Sequence, residues 1–266
     1  MVESTLNYLR AMDERPVYWL TKPPEGVSWR NTKGDRRVVE IHDARDLSPE
    51  PSLDREGFAL VPHETKVANL YDATAVRADY YPEMEALVAK ATGAVRVLAF
   101  DHNVRNPEKA EKQEDGAQGP VRFVHNDYTL GSGPQRVVDL LPDDADDLLT
   151  RRFAVINIWK PIRGPVQATP LAFCDAQSLK QDYFVPTSLE YGDRTGEVYS
   201  LTFGRDHRWF YYSAMTGEEA LLLKCYDSDA AVARFTAHTA VDDPTSPEDA
   251  EPRESIEVRT LAFFPS

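Results

Sequence analysis

The apolar positions of the chain change character near residue 95. In VRADYYPEMEALVAKATGA (76–94), Tyr80, Met84, Leu87, Val88 and Ala91 recur at helical spacing, which predicts one amphipathic helix stopped by Gly93. Before it, VVEIHDAR (38–45) and DREGFALVPHET (54–65) read as short strands, the second entered through Gly57, within a first 60 residues rich in Pro and charge. After it the apolar positions come in blocks of strand length: VRVLAFDHNVR, VRFVHNDYT, RFAVINIWKPI, PLAFCDAQSL, EVYSLTFG, RWFYYSAM, EALLLKCYDS and ESIEVRTLAFF. Gly, Pro and Asp turns separate them. No helix is predicted beyond about residue 150, where PDDADDLLTR ends. NPEKAEKQEDGAQGP (106–120) lacks apolar periodicity and reads as a long surface loop, a candidate lid.

A run of short antiparallel strands removes its edges by closing into a barrel or jelly roll. The expected fold is therefore mainly β with N-terminal helices. No linker interrupts it, so residues 1–266 are read as one domain, with 1–95 an α/β buttress and 95–266 the core. Of the 266 residues 42% are hydrophobic, enough for a core without disulfides. The two cysteines, Cys174 and Cys225, fit packed thiols in a reducing cytoplasm. No segment approaches the 18 apolar residues of a membrane span, and the N-terminus does not read as a signal peptide. A net charge of −14 repels phosphate backbones, so neither nucleic acid nor an anionic membrane is an expected partner.

The chemistry centres on His125-x-Asp127. On a strand, residues i and i+2 share a side, so this pair would present two ligands to one metal. Alone the pattern is weak, since a strand-end His beside a solvated Asp looks the same. Near the C-terminus, Arg253, Ser255, Glu257 and Arg259 alternate with Ile256 and Val258, giving one polar and one apolar face. Inward arginines in a small barrel call for an anion, and a guanidinium fork with a hydroxyl suits a carboxylate. The same alternation also fits a surface strand whose arginines pair with Glu254 and Glu257.

His125-x-Asp127, a distant His238, Arg253-x-Ser255 and a closing AFF strand resemble the Fe(II)/2-oxoglutarate-dependent oxygenases. More narrowly, FDHNVRN, VHNDYT, INIWKPI, PLAFCDAQS, HRWFYY, LLLKCYDS, HTAVDDP and RESIEVR are similar, in order, to the family of the cephalosporin 7α-hydroxylase and the fungal desaturase-like and meroterpenoid oxygenases. The resemblance covers roughly residues 55–263. It implies a double-stranded β-helix core, Fe(II), 2-oxoglutarate as cosubstrate and O₂. It also implies a small-molecule substrate, often of specialised metabolism, that is hydroxylated, desaturated or rearranged. Carried over by position, His125, Asp127 and His238 match the metal ligands. Arg253 matches the residue that grips the distal carboxylate of 2-oxoglutarate, with Ser255 beside it. The 15 positions between His238 and Arg253 exceed the usual spacing, which leaves Arg259 a rival, and HTAV stands where HTAF is usual. With Asp at 127, no coordination site is vacated for a halide.

His207 is a rival third ligand if the strand register differs. Asn157 is a candidate for holding cosubstrate or substrate. Weaker candidates for the substrate wall are His102, Tyr128, Trp159, His207, Trp209 and Arg122, while His42 and His63 read as structural. A non-catalytic jelly-roll binding protein and a zinc hydrolase are the competing classes, and no H-E-x-x-H supports the latter. A homodimer is a further expectation.

Overall fold

The computed structural model describes residues 1–265 except Asp115, so that position of the 106–120 loop lies outside the described residues, as does Ser266. Along the chain run β1 (Val2–Leu9), β2 (Val17–Trp19), β3 (Gly34–Asp43), β4 (Phe58–Pro62), β5 (Arg96–Arg105), β6 (His125–Asn126), β7 (Phe153–Pro161), β8 (Leu171–Cys174), β9 (Phe184–Glu190), β10 (Thr195–Leu201), β11 (Trp209–Tyr211), β12 (Glu219–Asp227), β13 (His238–Ala240) and β14 (Ser255–Phe263). They form a nine-stranded sheet, β1-β3-β11-β8-β13-β6-β10-β9-β2, and a five-stranded sheet, β4-β12-β7-β14-β5. The two face each other across a common core in a jelly roll.

The smaller sheet is buried on both sides, which explains why β7 reads FAVINIWKP with every residue buried. Phe153, Val155 and Trp159 point into the space between the sheets, with Leu221, Leu223, Leu261 and Phe263. Ala154, Ile156 and Ile158 point the other way, against Val76, Tyr80, Met84 and Val88 of a helical segment. That segment comprises α1 (Ala73–Ala75), a π-helical stretch Val76–Tyr80 and α2 (Tyr81–Thr92). Asp72 caps its start by accepting from Thr74 N and Ala75 N. Gly93 ends it at φ 75°, a left-handed turn open to glycine. The predicted helix is therefore present, starting three residues earlier.

Residues 1–95, read as an α/β buttress, also contribute strands to both sheets: β1 pairs with β3 over its full length in the large sheet, and β4 edges the small one. The signal was an alternation hidden among polar letters, since Val2, Ser4, Leu6 and Tyr8 are buried in turn, with Leu9 buried at the strand's end. The 106–120 stretch is not all loop. Asn106 accepts from Lys109 N and starts α3 (Pro107–Lys112) with Pro at its first turn. Two helices after β6, α4 (Ser132–Leu140) and α5 (Ala145–Leu148), place Val137 and Leu148 in the core. The strand expected over VRFVHNDYT shrinks to two residues. Among the described residues no helix is long and apolar enough to cross a membrane.

Two β-bulges interrupt the smaller sheet. One lies in the β5–β14 ladder between Arg259 and Thr260, where Phe100 is the extra residue. The other lies in the β12–β7 ladder between Lys224 and Tyr226, at Cys225.

The helical layer gives a direct stability test. Met84 is fully buried against the sheet, so Met84→Ala should cost about 2–5 kcal/mol of unfolding free energy. Val95 is 68% exposed, so Val95→Ala should stay within about 0.5 kcal/mol. Denaturant midpoints at constant slope check both.

Candidate active site

β6 and β13 are neighbours in the large sheet, and His125 pairs with His238 across them. Their rings lie 4.5 Å apart, centre to centre. Each ring is fixed by its own backbone two residues upstream: His125 Nδ1 lies 2.8 Å from the Phe123 carbonyl, and His238 Nδ1 3.0 Å from that of Thr236. A carbonyl only accepts, so Nδ1 donates in both rings and Nε2 is the nitrogen left to ligate. Burial, then the neighbouring His125, lowers the pKa of His238 and favours its neutral ring.

Asp127 sits just past β6, where the chain turns. Its Oδ1 lies 3.4 Å from His125 Nε2 and 4.0 Å from His238 Nε2. The three donor atoms all fall within 4.8 Å of one another. The other carboxylate oxygen, Oδ2, accepts from Asn157 Nδ2 at 2.8 Å and Arg259 Nε at 2.9 Å. Burial alone would raise this carboxyl's pKa. The Arg259 guanidinium, with smaller help from His125 and His238, overcomes that and holds it well below the usual carboxylate range. Asp127 is thus a charged group with one oxygen tied back and one free. Two imidazole nitrogens and one carboxylate oxygen on one side of a point are the donor set of a non-haem Fe(II) site.

Asn126, between the two ligand candidates, points away and locks the turn. Its Nδ2 donates to the carbonyls of Tyr128 (2.7 Å) and Cys225 (2.8 Å), and its Oδ1 accepts from Thr236 N at 3.2 Å. One buried amide thereby ties the His125–Asp127 turn to β12 and to the segment leading into His238. Sequence reasoning passed over it, although a buried Asn between two ligands has few other roles.

The polar face of β14 faces inward. Arg259 is spent on Asp127, on Glu257 (3.0 Å) and on Asp101 (2.9 Å), and with its oxygen turned inward the Asn103 amide accepts from it at 2.6 Å. Arg253 differs. It is 6% exposed, lies 5.4 Å from the centre of the Trp159 ring, and donates from Nη1 to the Thr169 carbonyl at 2.7 Å. It makes no ion pair among the described residues. Burial, and next the positive charge of Arg105, pull its pKa down to about 9. The Ser255 hydroxyl and Asn157 Oδ1 are buried with no hydrogen-bond partner. A cation without a counter-ion beside orphaned polar atoms fits a carboxylate ligand. Asn157 reaches this region indirectly, because its amide nitrogen holds Asp127.

Several sequence candidates lie elsewhere. His207 packs on Tyr183, with Nδ1 3.2 Å from the Tyr8 hydroxyl, and burial brings its pKa down to about 4. It is not part of the triad. Trp209 donates to the same hydroxyl at 2.7 Å, deep in the core. His102 faces the helical layer, 2.8 Å from the Tyr81 hydroxyl. Its neighbours Asp101 and Asn103, which were not singled out, are the ones that meet Arg259. Arg122 pairs with Asp242 near the surface. Tyr128 and Trp159 are buried in the inter-sheet core, and burial raises the Tyr128 phenol to about 12. His63 contacts buried Lys160, while His42 is half exposed against Phe210.

Known proteins agree with this geometry. The pattern of a family described as an oxidoreductase/YMDC permease-like domain matches residues 6–263. The chain is 33% identical over 255 residues to an Fe(II)/2-oxoglutarate-dependent dioxygenase, nvfI, of Aspergillus novofumigatus, covering 93% of this chain and 90% of that protein. It is 31% identical to the hydroxylase/desaturase CTB9 of Cercospora beticola, covering 98% and 91%. A solved structure of the iron and alpha-ketoglutarate-dependent endoperoxidase NvfI superposes with a TM-score of 0.89 at 32% identity, over 99% of this chain and 98% of that one. With the family pattern, the relatives and the fold in agreement, the chain belongs to the Fe(II)/2-oxoglutarate-dependent dioxygenases.

Proposed function

We propose that His125, Asp127 and His238 hold the iron of this dioxygenase, and that Arg253 with Ser255 anchors the distal carboxylate of 2-oxoglutarate. The observation that carries the reading is the orientation of the donors. Both imidazoles have Nδ1–H committed to a carbonyl, and Asp127 has Oδ2 committed to Asn157 and Arg259, so all three free lone pairs are left to one point. When bound there, iron supplies the redox chemistry that couples 2-oxoglutarate decarboxylation by O₂ to oxidation of a substrate C–H bond. The chain's part is positional. Arg253 offers a buried fork to a dicarboxylate, and Ser255 offers a hydroxyl beside it. Trp159, Leu223 and Leu261 wall the space between the sheets and exclude water. Arg259 and Asn157 keep Asp127 ionised and fix which oxygen faces the metal.

The substrate we propose is a small molecule of specialised metabolism, oxidised by the whole chain acting as one domain. The dioxygenase, hydroxylase/desaturase and endoperoxidase relatives support a small-molecule substrate, and the acidic chain supports a partner other than nucleic acid. Two buried free cysteines support a reducing cytoplasm as its compartment.

Anaerobic titration of the apoprotein with Fe(II) and then 2-oxoglutarate tests the assignment. A weak visible charge-transfer band should appear in the wild type and in His207→Ala, and be lost in His238→Ala. Its absence from well-folded wild type would overturn the assignment. The two arginines separate by readout. Arg253→Met should raise the Kd for 2-oxoglutarate about 30-fold or more, as when one partner of a buried charge pair is truncated. Arg259→Met should instead weaken Fe(II) affinity about 10–100-fold, measured by chelator competition without cosubstrate. Reversal of those two effects would exchange the roles.

A further inference from the structure

Arg105, the last residue of β5, lies opposite Ser255 in the β5–β14 ladder. Directly opposed side chains in such a ladder share a face, with Cβ atoms about 4.5–5.5 Å apart. Arg105 therefore faces the same space as Ser255, and its charge is felt at Arg253, whose pKa it helps lower. Its Nη1 donates to Gln118 Oε1 at 2.8 Å and to the Gly119 carbonyl at 3.0 Å, both neutral oxygens. Neither Arg105 nor Arg253 makes an ion pair among the described residues, whereas Arg259 on the same sheet face meets three carboxylates. Two guanidinium groups that repel each other in a largely buried setting feel one shared carboxylate, Glu257, which already accepts from Arg259, so a further anion beside the partnerless Ser255 hydroxyl would relieve them. Burial also lowers the pKa of Arg105.

The chain at Gln118 is held to β5 by backbone as well. Asn106 N donates to the Gln118 carbonyl at 3.1 Å, and Gln118 N donates to the Val104 carbonyl at 3.0 Å. A guanidinium has five N–H donors in a planar fork. With Nη1 turned to Gln118 and Gly119, the opposite edge of the fork can meet a carboxylate at the same time.

We propose that Arg105 is a second cation for the distal carboxylate of 2-oxoglutarate, and that it ties the chain at Gln118 and Gly119 to cosubstrate occupancy. This rests on the reading of Arg253 and Ser255 as the carboxylate anchor. Bound cosubstrate fixes the guanidinium, and the guanidinium fixes the segment that lies over it. Arg105 is thus a cosubstrate-binding residue that also links the site to the surface segment beside it.

The test compares 2-oxoglutarate with 2-oxopentanoate, which keeps the 2-oxo acid end and lacks the distal carboxylate. Both are titrated anaerobically into Fe(II)-loaded enzyme and read by visible absorption. Arg105→Met should weaken 2-oxoglutarate about tenfold or more, leave 2-oxopentanoate within about twofold, and be partly rescued by Arg105→Lys. Equal loss for both compounds, or no loss for either, would overturn the proposal. Arg253→Met, titrated in parallel, tests the parent reading separately: if it leaves 2-oxoglutarate affinity unchanged, the anchor assignment fails whatever Arg105 does. Amide hydrogen exchange at residues 116–119 should slow on adding 2-oxoglutarate to wild type and not to Arg105→Met. Unaltered exchange in wild type would remove the link to the segment.

Discussion

A buried carboxylate stays charged only if something holds it so, and the pairing of Arg259 with Asp127 does this here. The guanidinium offsets the desolvation of Asp127 and leaves an anion facing the two imidazoles. Arg259 is itself compensated by Glu257 and Asp101, so the charges close into a network across β5, β14 and the turn after β6. Breaking such a network at one member strands the others, so its parts act as a unit. Asn126 gives the network its place in the fold by tying the turn to β12 and the approach to β13.

The ligand candidates were legible because a metal site needs particular residue types in a particular order, and His125, Asp127 and His238 have them. The alternation of β14 likewise announced its polar face. What the sequence concealed follows from broken alternation. In β5, Leu98 and Phe100 point into the inter-sheet space, so a regular strand would continue with His102. The extra residue at Phe100 reverses the parity, turning Asp101, Asn103 and Arg105 inward and His102 out against Tyr81. His102, named as a weaker candidate for the substrate wall, therefore lies on the helical side of the sheet. The N-terminal strand was missed for a simpler reason: its inward positions include Ser4, so its period of two is faint.

The competition between Arg253 and Arg259 could not be resolved by spacing, because both fall at the odd positions of one alternating segment. Their environments differ. Arg259 lies level with Asn157 in the ladder, facing the turn that carries Asp127. Arg253 lies before the start of β14, where Thr169 and the Trp159 ring offer it no carboxylate. Six residues apart, the same side chain is in one place ion-paired to three carboxylates and in the other makes no ion pair among the described residues.

The two bulges of the smaller sheet fall on either side of the central β7–β14 pair and one residue apart along β7, the Phe100 bulge level with Asn157 and Ile156 and the Cys225 bulge with Ile156 and Val155. The Cys225 bulge turns its carbonyl toward Asn126, and the Phe100 bulge turns a row of ions inward. Shortening the chain by one residue at either place would restore a regular ladder and rotate the flanking side chains to the opposite face. The positions where this enzyme is least free to change length are therefore a phenylalanine and a cysteine, neither of which offers a ligand to the site.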